Sequence, residues 1–327
     1  MGEPGKGNVE RATMVLTQAF TLGALRCHLL EGGWQRLDGG AMFGVVPKPL
    51  WSRRVVPDER NRILLAMRCL LVEHPDGLVL IDTALGDKED DKFLDIYGVE
   101  NRGDPGPTWL EDALRAAGHR PEEVRWVINT HLHFDHAGGN TLKANGREGG
   151  KAEPDSSSRH PAIPPYRLGF PNATYIVQKN ELEFARHTNE RTRASYLPPN
   201  FEPVAAAGRW RLLEGDGEIL PGIAARLTPG HVPWHQSIVL RSEGETAVFL
   251  ADLIPTSAHL PLPYIMGYDL EPLRTLESKR ALLRDAAAGG WWFIFEHDPT
   301  VAMGRVVPDE RGKGVELAEV RRSTVTA

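Results

Sequence analysis

Residues 130–140 read THLHFDHAGGN, and this stretch decides how the rest of the chain is interpreted. Four potential metal ligands lie within six positions of it: His131, His133, Asp135 and His136. The stretch follows VRWVIN, whose β-branched and aromatic residues predict a strand. The cluster is therefore expected at the carboxyl end of that strand. Side chains two residues apart on an extended segment share one side, which lets His131 and His133 bind the same metal ion.

The cluster holds more ligands than one ion can use. A tetrahedral zinc ion takes four ligands, and these four side chains cannot all reach one point at once. His136 is expected on a turn, which Gly138 and Gly139 allow to bend tightly. The local excess of ligands indicates two ions rather than one.

Further ligands are expected at the ends of other predicted strands. His231 lies in LTPGHVPWH, Asp252 ends TAVFLAD, and His297 lies near the end of WWFIFEHD. Loops at the carboxyl edge of a sheet can converge on one site, although each of these residues taken alone could be structural. The isolated histidines are interpreted as solvated or locally hydrogen-bonded, without a catalytic role: His28, His74, His119, His160 and His187.

The composition is that of an ordinary globular protein. The chain has 327 residues, of which 41% are hydrophobic and 25% charged, and its net charge of −6 argues against nucleic acid as a partner. Cys27 and Cys69 lie in apolar runs and are expected to be buried free thiols. A secretory segment and an apolar run of membrane-spanning length are both missing from the sequence, so we expect a cytoplasmic protein that binds no membrane.

The order of predicted elements indicates an α/β fold. Each half of the chain has β-type runs, a helix and then a strand that ends in histidine, which predicts two sheets packed together with helices outside. The first helix, TWLEDALRAAGH, is expected to begin with a capping box of Thr108 and Glu111. Residues 1–13 are expected to be a flexible tail, and 14–327 a single domain with a loop insertion at about 143–169.

The motifs together resemble those of the metallo-β-lactamase-fold hydrolases. HLHFDH fits the H-x-H-x-D-H signature of that family, and VLIDTALG, TPGHVPWH, FLAD and FEHD resemble its further motifs over about residues 65–300. The resemblance implies an αββα sandwich of two packed mixed sheets flanked by helices. It also implies that His131, His133 and His231 hold one ion, that Asp135, His136 and His297 hold a second, and that Asp252 bridges them. Asp82 resembles an aspartate that orients the ligands.

The complete ligand set resembles that of acyl-homoserine lactonases and methyl-parathion hydrolases. This implies a metal-dependent hydrolase with two divalent ions, expected to be zinc, with iron, manganese or cobalt as alternatives. A hydroxide held between the ions would open a lactone or similar ester of a small-molecule substrate. Asp135 and Asp252 are the residues to which the resemblance assigns catalytic roles. A homodimer is also implied.

Other functions of the same fold remain open at this point. A phosphotriesterase or arylesterase is the first alternative, followed by an iron-dependent redox protein and a non-catalytic metal-binding protein. The lactonases often carry a tyrosine three residues after the bridging aspartate, where this chain has Pro255. Tyr264, Tyr268 and His259 are candidate replacements. Met42, Phe43 and residues 260–268 are candidate walls of the substrate pocket.

Overall fold

The computed structural model describes residues 16–144, 166–311 and 314–324. The predicted tail at 1–13 and most of the predicted insertion at 143–169 lie outside these ranges. The described edges of the insertion are strands that pair with each other, Thr141–Lys143 with Tyr166–Leu168. The two described ends of the insertion therefore lie side by side.

The strands of the described residues belong to two large sheets and one small one. In chain order they are β1 (Thr17–Leu22), β2 (Leu25–Asp38), β3 (Arg62–Glu73), β4 (Leu78–Ile81), β5 (Val124–Ile128), β6 (Thr141–Lys143), β7 (Tyr166–Leu168), β8 (Thr174–Gln178), β9 (Trp210–Leu213), β10 (Gly217–Leu220), β11 (Ile223–Leu227), β12 (Gln236–Ser242), β13 (Glu245–Phe249), β14 (Trp292–Ile294), β15 (Val301–Pro308) and β16 (Val315–Arg322).

The helices are mostly short. In chain order they are α1 (Gly39–Phe43), α2 (Lys48–Trp51), α3 (Asp91–Tyr97), α4 (Trp109–Ala116), α5 (Phe134–Ala137), α6 (Lys179–Arg186), α7 (Glu202–Ala206) and α8 (Pro272–Gly289). Single 3₁₀ turns occupy Pro121–Glu123, Gly138–Asn140, Pro198–Asn200, Ala251–Leu253 and Ser257–His259.

Both large sheets are mixed, as the family resemblance implies. The first has the order β1-β2-β3-β4-β5-β8-β9, and the second β10-β11-β12-β13-β14-β15-β16. Pairing in the first sheet is antiparallel as far as β4 and parallel from β4 to β9. In the second sheet the pair β13–β14 is parallel and its neighbours are antiparallel. β3 and β4 form an antiparallel hairpin around the turn HPDG.

The two sheets pack face to face and helices cover their outer faces. Alternate side chains of the first sheet, such as Leu70 and Ile81, meet those of the second, such as Phe249, in one buried cluster. Leu114 of α4 packs on the outer face of the first sheet, and Leu282 of α8 packs on that of the second. The predicted αββα sandwich is confirmed.

The prediction for the start of α4 is confirmed only in part. Thr108 Oγ1 accepts the amide of Glu111 at 3.4 Å and so caps α4, but the Glu111 carboxylate pairs with Arg115 and Arg167. Two arginines compete for that carboxylate, and only the threonine half of the predicted capping box is observed. Within the described residues, none of the helices has the length and apolar character needed to cross a membrane.

The two cysteines are buried and free, as predicted. Burial raises the pKa of the Cys27 thiol to about 12, with a smaller contribution from the Glu73 carboxylate. The thiol is therefore protonated at neutral pH and acts as a small apolar side chain of the core.

Candidate metal centre

The seven predicted ligands meet at the carboxyl ends of four strands. The segment 131–136 follows β5, His231 follows β11, Asp252 follows β13 and His297 follows β14. Because β13 and β14 run parallel, they deliver Asp252 and His297 to the same edge of their sheet. The chain leaves β13 with Ala251 in the left-handed region, at φ 46°, a type of strain that clusters at functional sites.

One group of donor atoms comes from His131, His133, His231 and Asp252. Each offers one atom, and these atoms all lie within 4.8 Å of one another. His231 Nε2 is 2.9 Å from Asp252 Oδ2, and His131 Nε2 is 3.7 Å from the same oxygen. His133 turns its Nδ1 toward His231 Nε2, at 3.1 Å.

A second group comes from Asp135, His136 and His297. His136 Nε2 and His297 Nε2 are 3.2 Å apart, and each lies 3.8 Å from an Asp135 oxygen. Asp252 also faces this group, because its Oδ1 is 3.0 Å from His297 Nε2 and its Oδ2 is 3.4 Å from His136 Nε2. The Asp252 carboxylate therefore lies between the two groups.

The donor atoms are arranged to bind divalent cations rather than to hydrogen-bond with one another. His131 Nε2 and Asp252 Oδ1 are buried without an acceptable hydrogen bond in the described structure, although Asp252 Oδ1 has His297 nearby. Two pairs of imidazole nitrogens face each other at 3.1 and 3.2 Å. A buried group of this kind is costly unless a partner satisfies it, and imidazole and carboxylate donors are the ligands that zinc-type ions prefer.

The Asp252 charge divides the histidines into two sets. Burial and the nearby histidines hold the pKa of His131 and of His133 well below the ordinary value. Burial alone would also lower the pKa of His231 and His297. The Asp252 carboxylate, helped by Asp269 at His231 and by Glu296 at His297, outweighs burial and raises these pKa values to about 10 and about 9. Without metal, protons on these two histidines balance the buried carboxylate.

A buried carboxylate pair supports His136 from behind. Asp82 Oδ2 and Glu296 Oε2 each lie 3.1 Å from His136 Nδ1. Asp82, at φ 55° just beyond β4, also accepts the Thr130 amide and hydroxyl at 2.8 and 2.7 Å. These contacts agree with the expectation that Asp82 orients the ligands. Burial raises the pKa of Glu296 to about 8, so this carboxyl is largely protonated at neutral pH.

Several residues that support the ligands were not predicted from the sequence. Asp269 Oδ1 lies 2.9 Å from His231 Nδ1, Gln35 donates to Asp135 Oδ2, and Glu181 accepts the Leu132 amide at 3.0 Å. None of these three carried a local signal; Gln35, for example, lies in the polar stretch EGGWQRLD. Glu296 could have been suspected because it directly precedes His297.

The glycines of the quoted stretch serve close approach rather than an unusual bend. Gly138 has ordinary helical angles, φ −60° and ψ −41°. A Cβ on Gly138 would lie 2.8 Å from the Gly86 nitrogen, and a Cβ on Gly139 would collide with the Thr83 carbonyl. The predicted tight turn exists, but glycine is required because two backbone segments touch.

A cleft of about 410 Å³ opens above the candidate ligands. Of the three proposed replacements for the lactonase tyrosine, only Tyr268 lines it, since His259 is buried with both ring nitrogens engaged by Thr256 and Met42. Phe43 is core rather than wall. The full lining is Leu37, Ala41, Met42, Leu65, Tyr97, His133, Phe134, Asp135, Arg191, Thr192, Ser195, His231, Asp252, Met266, Gly267, Tyr268, Leu270 and His297.

Known proteins share this sequence pattern. The chain matches the profile of the Metallo-beta-lactamase superfamily over residues 67–297. An N-acyl homoserine lactonase of a Bacillus species is 28% identical over 256 residues, covering 76% of this chain and 84% of that relative. One from Bacillus cereus is 29% identical over 195 residues, covering 58% of this chain and 64% of that relative, which is less than two thirds of its length.

Solved structures share the fold. A Staphylococcus aureus protein described as a "probable metal-dependent hydrolase" superposes with a TM-score of 0.79 at 28% identity, covering 93% of this chain and 99% of that one. AidC, a dizinc quorum-quenching lactonase, superposes with a TM-score of 0.71 at 20% identity, over 93% and 98% of the chains, a likeness that concerns the fold alone. Because the profile match spans most of the sequence and includes all seven predicted ligand positions, this chain belongs to the metallo-beta-lactamase superfamily.

Proposed function

We propose that this chain is a metal-dependent hydrolase with a two-ion, zinc-type centre that opens lactones, with N-acyl homoserine lactones as its substrate class. The observation that carries the proposal is the position of Asp252 between two groups of donor atoms at the floor of the cleft. The similarity to proteins named N-acyl homoserine lactonases supports the substrate class.

The seven side chains have distinct tasks in this proposal. One ion would be held by His131, His133 and His231. The other ion would be held by Asp135, His136 and His297, and Asp252 would contact both ions. Divalent ions bound there supply Lewis acidity that activates water and polarises an ester carbonyl. Asp135 is held by Gln35 and borders the cleft, a position from which it can also accept a proton.

The cleft suits a substrate with a polar head and an apolar chain. Its floor is formed by His133, Asp135 and Asp252, and much of its wall is aliphatic or aromatic, with Leu65 and Met266 among the contributors. Burying an acyl chain against such a wall is favourable by roughly 0.8 kcal/mol per methylene. An acyl chain bound in this way would place the ester bond of the substrate next to His133, Asp135 and Asp252.

The test is hydrolysis of N-hexanoyl homoserine lactone by the full chain, followed through the acid that ring opening releases. We expect activity after loading with Zn²⁺, loss of activity on chelation, and recovery when Zn²⁺ is restored. Asp252→Asn keeps the size of the side chain but removes its charge, and we expect it to lower kcat/KM by more than about 100-fold, beyond the usual effect of losing a supporting residue.

The matched control is Asp76→Asn. Asp76 lies in the hairpin between β3 and β4, away from the candidate centre, and its side chain is 54% exposed. The Asp76→Asn variant should hydrolyse the lactone at the wild-type rate. The proposal would be contradicted if the zinc-loaded protein hydrolysed no N-acyl homoserine lactone, whatever the length of the acyl group. Hydrolysis of a phosphotriester such as paraoxon that is faster than lactone hydrolysis would favour the phosphotriesterase alternative.

A further inference from the structure

Two of the histidines interpreted as structural meet a carboxylate at another place on the fold. His28 lies on β2, Glu73 ends β3, and His119 follows α4. In the register of β2 and β3, Glu73 is opposite Arg26, and so lies diagonally from His28 on the same outer face. His119 reaches this face because α4 packs over it.

This group is remote from the candidate metal centre. Val72 pairs with Val79 and Leu70 with Ile81, so Glu73 adjoins the start of β4. The candidate centre instead uses residues beyond the end of β4 and of its parallel neighbour β5. The two places are at opposite ends of the same strands.

The donor atoms are already arranged around a common point. His28 Nε2 is 2.7 Å and His119 Nε2 is 3.4 Å from the same oxygen, Glu73 Oε1, and the three atoms all lie within 4.8 Å of one another. Two ligands of a tetrahedral ion, each at about 2.1 Å from it, are about 3.4 Å apart. The His119–Glu73 pair has this separation, and the His28–Glu73 pair needs to open by a fraction of an ångström.

We propose that His28, Glu73 and His119 bind a further divalent ion of the zinc type, separate from the candidate metal centre. Two imidazoles and one carboxylate form a recurrent zinc ligand set, with water completing the tetrahedron. The ion would link β2, β3 and the turn after α4, and its contribution would be to stability rather than to the reaction at the cleft.

The three side chains differ in exposure, so that an ion can reach the group from solvent and still have one buried ligand. The His28 side chain is 3% exposed, while those of His119 and Glu73 are 21% and 32% exposed, so one ligand is anchored and the other two face a route from solvent. Arg26 also approaches Glu73 Oε1, at 3.4 Å, but its side chain is 65% exposed and free to turn away. The competing arrangement is a hydrogen-bonded His–Glu–His triad without metal.

The test is zinc stoichiometry in the full chain. Wild-type protein and a His119→Ala variant would be dialysed to equilibrium against the same Zn²⁺ concentration, and bound metal counted per chain by mass spectrometry. We expect the variant to bind one zinc fewer than the wild type. We also expect it to lose part of the zinc-dependent rise in Tm, because only the native state presents the three ligands together.

Two further variants make the outcome decisive. His187→Ala removes an exposed histidine whose ring contacts the Glu183 carbonyl, and this variant should bind as much zinc as the wild type. Glu73→Gln keeps the side-chain shape and should bind one zinc fewer, like His119→Ala. Equal zinc content in the wild type and His119→Ala, or an equal loss in His187→Ala, would overturn the proposal. Lactone hydrolysis is expected to be the same in all four proteins, because none of the three changes alters the cleft.

Discussion

At the scale of single residues, the candidate centre depends on what contacts the outer nitrogen of each histidine. Thr130 Oγ1 lies 3.1 Å from His131 Nδ1, and the Ala66 carbonyl lies 2.7 Å from His297 Nδ1. His231 has the buried Asp269 carboxylate in the same position. Such contacts select the tautomer that leaves the inner nitrogen free for a metal, and they hold the ring in place.

Replacing Asp269 tests this reasoning. Asp269→Asn keeps the volume but removes the charge that fixes and polarises His231, so we expect zinc affinity to fall by about 10- to 100-fold. Competition with a chromophoric chelator measures the affinity, and Asp76→Asn is the surface control. Unchanged affinity in Asp269→Asn would show that the charge of Asp269 does not contribute, and that an uncharged acceptor at this position is enough to orient His231.

The raised pKa values of His231 and His297 predict proton release when metal binds. At pH 7 both imidazoles are protonated in the metal-free protein, because their pKa values are about 10 and about 9. The pKa of His136 is also held well above its ordinary value by the nearby carboxyl groups of Glu296, Asp135 and Asp252. Since a metal needs the neutral imidazole, zinc binding should release about three protons per chain, and zinc affinity should rise as pH rises from 7 toward 9. Calorimetry in buffers of different ionisation enthalpy counts these protons; a heat independent of the buffer would contradict the assignment.

Tyr268 is the residue of the cleft wall best suited to contact a polar substrate group. None of the described residues accepts or donates a hydrogen bond at its hydroxyl, and burial, with nearby acids, raises its pKa to about 12. The hydroxyl is therefore a donor throughout the working pH range. We expect Tyr268→Phe to lower kcat/KM for the lactone by about 10- to 100-fold, the equivalent of one hydrogen bond to a charged group. Tyr264→Phe, outside the cleft lining, is the control and should retain full activity.

At the scale of elements, the cleft wall depends on helix α8. Lys279 is fully buried on α8, and its Nζ donates to the carbonyls of His259, Pro261 and Tyr264, the latter two at 2.7 and 2.9 Å. The loop that these carbonyls belong to continues to Met266 and the other cleft residues up to 270. One lysine thus ties three carbonyls of this irregular segment to α8.

Removing this amino group should affect both stability and substrate binding. Lys279→Met removes the shared donor of three carbonyls, of which the Pro261 oxygen keeps the Tyr264 amide as a partner. We expect the change to lower the free energy of unfolding by about 2 kcal/mol. KM for the lactone should rise more than kcat falls, because the wall moves while the metal ligands stay. Urea denaturation and steady-state kinetics measure the two effects. Arg280→Met, at an exposed neighbouring position of α8, should change neither.

At the scale of the whole molecule, the sequence was informative where chemistry is concentrated. The ligands of the segment 131–136 could be predicted because a dense local pattern follows a recognisable strand, and the two-sheet fold because hydrophobic runs alternate with helical ones. Asp269 and Glu181 could not, since they lie 38 and 49 residues from the groups that they support. Their role depends on how segments distant in the sequence pack together, which no local pattern encodes.

A buried arginine helps to join the two sheets near the candidate centre. Arg68 of β3 donates to the Glu31 carboxylate of β2 at 2.8 Å. It also crosses to the second sheet, where it donates to the carbonyls of Phe295 and Asp298 at 2.6 and 3.0 Å. These carbonyls flank His297, whose own carbonyl accepts the Ala66 amide of β3 at 3.1 Å. The position of His297 therefore depends on this contact between the sheets.

Arg68→Met should separate the stability of the sandwich from the geometry of the centre. The change leaves a buried carboxylate at Glu31 without its partner, a loss that typically costs about 3–5 kcal/mol. A double variant, Glu31→Leu with Arg68→Met, removes both charges and should recover much of the free energy of unfolding, because no buried charge is left unpaired. It should not recover the zinc affinity of the site that contains His297, since the Phe295 and Asp298 carbonyls still lack their donor. If the double variant regains both properties, the guanidinium balances charge only and does not position His297.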